Sequence, residues 1–199
     1  MMDNNENYIK MDGEEASFDG GAIRYTKTGK GRYDLIPGEV VISVINDAWD
    51  YFYNEGTMTT SKMDIIQAAY QEPAATRMKY SETIINLVNY IYTEGHWTYD
   101  ETRNDSIETN FGDFLIGFCR MLHDLAVHYE NGAEKYGVDN WKKGIPLIGG
   151  ERGGSFTDSG LRHLNQWCQG LNDEPHHVSC IWNFFGAIWT IFNNEKTQE

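Results

Sequence analysis

Positive charge is scarce in this chain: 16 Lys and Arg stand against 30 Asp and Glu across 199 residues, a formal net charge of −14. Affinity for a polynucleotide backbone comes mainly from cations that neutralise phosphates, so the balance argues against a nucleic-acid polymer as partner. A single nucleotide stays within reach, because a divalent cation can bridge an acidic protein and a phosphate. Paired cysteines are lacking too. Cys119, Cys168 and Cys180 fall inside apolar helical patterns with no C-x-x-C spacing, which excludes a zinc ribbon or a dithiol redox motif and reads as reduced core thiols in a cytosolic protein. No apolar run approaches the roughly 20 residues of a membrane span. The start, Met1-Met2-Asp3-Asn4-Asn5-Glu6-Asn7, has neither the basic residues nor the apolar stretch of a signal peptide. The expectation is a cytoplasmic protein with no membrane partner.

What is present is ordinary globular material: 40% hydrophobic and 14% aromatic residues, including six Trp and twelve Tyr. That composition excludes disorder of the whole chain and suits a tightly packed or base-stacking protein. Residues 1–20 are polar and acidic and read as a mobile tail ahead of a single helical domain over 21–199. The charge then changes sign. Between Gly21 and Pro37 lie four basic residues (Arg24, Lys27, Lys30, Arg32), one acid (Asp34), and Tyr25 and Tyr33. A glycine-rich basic loop can cradle a phosphate on backbone N–H groups and stack a base on a ring. The alternative is a solvated connector leading into a helix. Gly29-Lys30-Gly31 lacks the spacing of a Walker A loop.

Hydrophobic periodicity predicts helices nearly throughout, and the fold class read from it is all-α, a compact helical bundle. Val40, Val41, Val44, Ile45 and Ala48 recur at helical intervals over 39–53. Ser61 with Asp64 marks one helix start, and Ser81 with Glu82 marks another. Residues 94–110 are polar and turn-like. Phe111, Phe114, Leu115, Phe118, Leu122, Leu125 and Tyr129 form the strongest stripe, which runs on to Glu130 and Glu134 and stops at Gly137. A shorter helix is expected over 158–170. Pro175 then stands where a first helical residue would, before the almost wholly apolar 178–192. An all-round apolar helix belongs at the centre of a bundle or between the subunits of a homo-oligomer, and a homo-oligomer is expected here.

Three polar clusters sit at successive helix ends. Glu130 and Glu134, four residues apart, share a helix face where like charges repel, so a cation should compensate; Lys135 or solvent is the plain alternative. Asp158 and Arg162 can form a surface ion pair, which leaves His163 unexplained. Asp173 or Glu174 can cap the last helix, a role that needs neither His176 nor His177. Without an H-E-x-x-H pattern a dedicated zinc site is a minor option. Oxygen-rich clusters favour Mg2+ or Mn2+. If the clusters share one cleft, hydrolysis of a polyphosphate is the natural chemistry.

The motif series Gly21-Ala22-Ile23-Arg24, Gly29-Lys30-Gly31-Arg32-Tyr33-Asp34-Leu35-Ile36-Pro37, Gly132-Ala133-Glu134-Lys135-Tyr136-Gly137, Asn140-Trp141-Lys142-Lys143-Gly144-Ile145-Pro146, Asp158-Ser159-Gly160-Leu161-Arg162-His163-Leu164, Asp173-Glu174-Pro175-His176 and Trp182-Asn183 resembles the dATP/dGTP diphosphohydrolase, N-terminal domain family. The resemblance implies a phage-associated protein of nucleotide metabolism in the host bacterial cytoplasm. It also implies a fold and chemistry similar to the MazG-like all-α pyrophosphohydrolases, with an inserted helical segment over 48–110. In that reading Mg2+ (or Mn2+) sits on Glu130, Glu134, Asp158, Asp173 and His176, and Glu134 and Glu130 are catalytic. Arg24, Lys30, Arg32, Tyr33, Tyr136, Asn140, Trp141, Lys142, Arg162 and His163 would bind a purine deoxynucleoside triphosphate, dATP or dGTP. It would be split to monophosphate and pyrophosphate. The alternative is a non-catalytic protein that sequesters a nucleotide or nucleotide signal in phage counter-defence.

Overall fold

Apolar residues at three- and four-residue intervals build six helices among the described residues, which in this computed structural model are 15–17, 23–25, 29–71, 76–93, 107–149 and 154–197. α1 (Gly38–Glu55) turns Val40, Val44, Ala48 and Phe52 inward and ends at Gly56, whose φ of 77° suits a residue without a Cβ. α2 (Lys62–Tyr70) starts at the expected Ser61, in a capping box where Ser61 and Asp64 each accept the other's backbone N–H. α4 (Phe111–Tyr136) carries the long stripe and stops at Gly137, as its pattern predicted. α5 (Phe156–Cys168) and α6 (His176–Lys196) complete the set.

α3 (Arg77–Tyr92) departs from expectation at its start. Thr76, not Ser81, is the cap and accepts the N–H of Lys79, while Ser81 lies buried in the helix interior. The extra turn carries Tyr80 into the core, where its hydroxyl meets Thr157 Oγ1 at 2.6 Å. Burying a ring of that size outweighs the modest gain from one cap over another. The 48–110 segment, read as an insertion, supplies this helix, and α3 packs against α1, α2, α4 and α6.

Two short antiparallel pairs accompany the helices. β1 (Glu15–Ser17) pairs with β2 (Ile23–Tyr25), and β3 (Thr57–Thr60) pairs with β4 (Ile107–Asn110). β1 lies within the span read as a mobile tail and β2 beyond it, and the rest of 1–20 lies outside the described residues. The second pair was hidden because strands of four residues are too short to show an alternation.

α5 and α6 cross closely because glycine stands at the contact on each. A Cβ at Gly160 would lie 2.4 Å from the Phe184 ring, and one at Gly186 would lie 2.3 Å from Phe156. The apolar residues of α6 from Val178 to Ile188, Trp182 excepted, are buried within the chain. Among the described residues no helix is long and apolar enough to cross a membrane.

Candidate functional site

The last turns of α4 present His128, Gly132 and Tyr136 along one face at four-residue intervals, with Tyr129 and Ala133 beside them. Facing them are Trp182 of α6, Leu35, and the segment that follows Gly137, which folds back through Asp139 (φ 55°) into a 3-10 turn, Asn140–Lys142. Together they form a cavity of about 310 Å³ whose walls are mainly apolar and include the rings of His128, Tyr129, Tyr136, Trp141 and Trp182. That volume is at the small end for a ligand pocket, enough for a purine base with part of its sugar. Trp141 is buried at its base, with its ring centroid 4.9 Å from Trp189 and 5.8 Å from Tyr129, and Lys142 Nζ lies over it at 5.2 Å.

Two lining residues carry unspent donors. Tyr129 Oη and Trp141 Nε1 are buried, and neither has a hydrogen-bond partner among the described residues. An orphaned buried donor costs about 1–3 kcal/mol, so a ligand or water that accepts from either would be held firmly. Burial pushes the Tyr129 phenol far above its usual range, which keeps its proton on at neutral pH.

A second group forms where α5 meets α6. His163 lies inside α5, Asp173 and Glu174 in the short connection, and His176 is the first residue of α6. His163 Nδ1 lies 3.1 Å from His176 Nδ1, and Glu174 Oε1 lies 3.2 Å from the first and 3.3 Å from the second. His176 Nε2 pairs with Asp173 Oδ1 at 2.9 Å, and that bond holds the Asp173 carboxyl below its usual range. Neither acid caps α6 with its side chain. Burial pushes the His163 imidazole down to about 4, helped by Arg162, His176 and His128 and opposed by Glu174. His163 is therefore neutral at pH 7 and free to act as a ligand or acceptor. Arg162 Nη2 is 3.5 Å from His163 Nε2.

His128 joins the two regions. Its ring is 5.8 Å from Trp182 in the cavity wall, and it also feels the charge of Glu174, while burial keeps it unprotonated.

Residues 99–199 match the family described as dATP/dGTP diphosphohydrolase, N-terminal. The chain belongs to this family. Its description is that of a hydrolase acting on purine deoxynucleoside triphosphates. The matched span holds the whole histidine and carboxylate group and every lining residue of the cavity except Leu35. No curated protein matches the chain. No solved structure matches it.

Within this family member the residues singled out from sequence are divided between several places. Tyr136, Asn140 and Trp141 line the cavity, with Lys142 beside it and paired to Asp139 at 2.9 Å. His163, Arg162, Asp173 and His176 meet at the α5 and α6 junction. The other three expected metal ligands are not gathered with them. Glu130 is buried and accepts the N–H groups of Gly29 at 3.1 Å and Gly31 at 2.8 Å, so the loop donors read as a phosphate cradle are spent on its carboxylate. Glu134 is exposed on the last turn of α4 and lines neither region. Ser155 caps α5 by accepting the Asp158 N–H at 3.1 Å, and its hydroxyl donates to the Asp158 carboxylate at 2.6 Å. Lys30 is half-buried in the anchored loop. Arg32 is paired with Asp34, and Tyr33 Oη meets His123 Nδ1 at 2.7 Å; both lie outside the cavity. Arg24 is in β2, and its side chain lies outside the described residues.

The expected shell of Glu130, Glu134, Asp158, Asp173 and His176 is thus not assembled among the described residues. The metal-capable group there is His163, Glu174 and His176. The sequence reading assigned none of His128, Tyr129, Trp182 and Glu174 to a site. His128 had a usable signal, since it stands four and eight residues before Gly132 and Tyr136 on one helix face.

Proposed function

We propose that the chain hydrolyses a purine deoxynucleoside triphosphate, dATP or dGTP, to the monophosphate and pyrophosphate, with a divalent cation, Mg2+ or Mn2+, as cofactor. The observation that carries this reading is that His128 belongs at once to the aromatic cavity wall and to the electrostatic surroundings of His163 and Glu174. The base would lie against Trp182 and Tyr136, with Asn140 able to read its edge and the free Tyr129 and Trp141 donors able to hold base or sugar. The triphosphate would extend past His128 towards His163, Glu174 and His176, with Arg162 beside it. When bound, the cation would neutralise phosphate oxygens. Water oxygen attacks the α-phosphorus, the bond from that phosphorus to the oxygen bridging to the β-phosphate breaks, and pyrophosphate leaves. His128, whose imidazole is lowered by burial, would take the proton from water.

Anion-exchange separation of a mixed NTP and dNTP pool, after incubation with the chain and a divalent cation, tests the reading. A deoxypurine monophosphate with an equal amount of pyrophosphate is expected. Intact nucleotide recovered from heat-released protein, with the pool otherwise unchanged, would sink hydrolysis and favour the sequestering alternative.

A further inference from the structure

We propose that His163, Glu174 and His176 form a three-ligand site for a first-row transition-metal dication, Mn2+ foremost, and that Asp173 is the positioning residue for His176. The distances motivate it first. The three candidate donor atoms form a nearly equilateral triangle with edges of 3.1, 3.2 and 3.3 Å. Ligands about 2.1–2.2 Å from a metal stand about 3.0–3.1 Å apart on one face of an octahedron and about 3.4–3.6 Å apart in a tetrahedron. The observed edges fall in and just above the octahedral range, and one face leaves the opposite positions for water or phosphate oxygens.

Proton accounting points the same way. A neutral imidazole carries one N–H. With the N–H of His176 on Nε2, facing the Asp173 carboxylate at 2.9 Å, its Nδ1 can turn a lone pair to a metal ion. Glu174 Oε1 offers another at 3.3 Å. His163 Nδ1 becomes a ligand in the tautomer that carries its proton on Nε2, from which Arg162 Nη2, now at 3.5 Å, would turn away. In those tautomers a dication would accept a lone pair from each of the three atoms. The pair of His176 with Asp173 is the arrangement by which a carboxylate fixes the tautomer and orientation of a liganding histidine.

Chemistry and access complete the case. His163 and His176 are 8% and 1% exposed, so the nitrogen ligands are preorganised, whereas Glu174 is 45% exposed at its side chain and leaves the site open on one side. Two imidazoles with one carboxylate suit Mn2+, Fe2+ or Co2+ better than Mg2+, which prefers oxygen and retains its water. The ion's use in catalysis rests on the proposed function; its binding does not.

The test is isothermal titration of Mn2+ into the chelator-stripped full-length chain, without nucleotide, alongside the loss of the free-Mn2+ electron paramagnetic resonance signal. One equivalent is expected, not displaced by a tenfold excess of Mg2+. Glu174→Gln and His163→Gln should each weaken binding at least tenfold, and Asp173→Asn by about 10–100-fold, with the helical circular dichroism of Glu174→Gln unchanged because that side chain is half exposed. No Mn2+ uptake, displacement by equimolar Mg2+, or wild-type affinity in Glu174→Gln would overturn the site. Mn2+ binding without nucleotide turnover would sink the proposed hydrolysis and leave the site standing.

Discussion

The carboxylate of Glu130, on α4, accepts the backbone N–H of Gly31 at 2.8 Å across a sequence separation of 99 residues. Gly29 donates to the same carboxylate, Arg32 N–H donates to Ala126 O at 2.9 Å, and a Cβ on Gly31 would lie 2.7 Å from that of Ala126. The loop is fastened to the helix by a buried acceptor and a contact that only glycine permits. Glu130→Ala leaves two loop N–H groups without an acceptor and should destabilise the chain by about 1–3 kcal/mol; Glu130→Gln should cost less. Urea unfolding reads both, and a wild-type midpoint for the alanine variant would contradict the anchoring role.

The cavity predicts where nucleotide affinity resides. Tyr136 is exposed on its rim, so Tyr136→Ala should preserve the fold and weaken binding of dATP or dGTP by about tenfold or more, in line with a stacking contribution of about 1–3 kcal/mol. Equilibrium binding by tryptophan fluorescence measures it. Unchanged affinity would take the base out of this cavity.

Buried histidines set the acid sensitivity of the metal-free chain. Burial lowers the imidazoles of His128, His163 and His177 in the folded state, His163 to about 4. Over that window the unfolded chain binds more protons than the folded one, so stability falls as pH falls. The loss should begin near the ordinary histidine value of about 6.5 and continue towards pH 4 for His163. Melting temperatures across that range test the sign, and a flat profile would contradict it.

The α5 and α6 crossing has no room for a methyl group at either glycine. Gly186→Ala places a Cβ 2.3 Å from Phe156, and Gly160→Ala one 2.4 Å from Phe184. Each should destabilise by about 1–3 kcal/mol through overpacking, outweighing the gain in helix propensity. Because this crossing also brings His163 to His176, both variants should lose Mn2+ affinity together with stability. Denaturation and metal titration on the same preparations check the link.

Much of the fold was legible because helix formation is governed over short range. The stripe from Phe111 to Tyr129, the Ser61 and Asp64 box and the Gly137 stop were all recognisable within a few turns of chain. The start of α3 was not, because Thr76 and Ser81 are both competent caps and the choice was made by the burial of Tyr80 against Thr157. The strands escaped notice because β3 and β4 pair across roughly fifty residues, a contact that no local period records.

At the candidate site, chemistry was written in residue types and assembly was not. Tyr136, Asn140, Trp141, His163, Asp173 and His176 could be picked out from their motifs, as could the acidic pair on α4. Which of them meet depends on helix crossings: one face of α4 sends Glu130 to a loop 99 residues away, the opposite face leaves His128 between cavity and histidines, and the close α5 and α6 contact brings His163 within 3.1 Å of His176. Periodicity and capping act through neighbours along the chain, so they can be read in one dimension. Whether a carboxylate becomes an anchor, a cap or a ligand is decided by partners that only packing brings near.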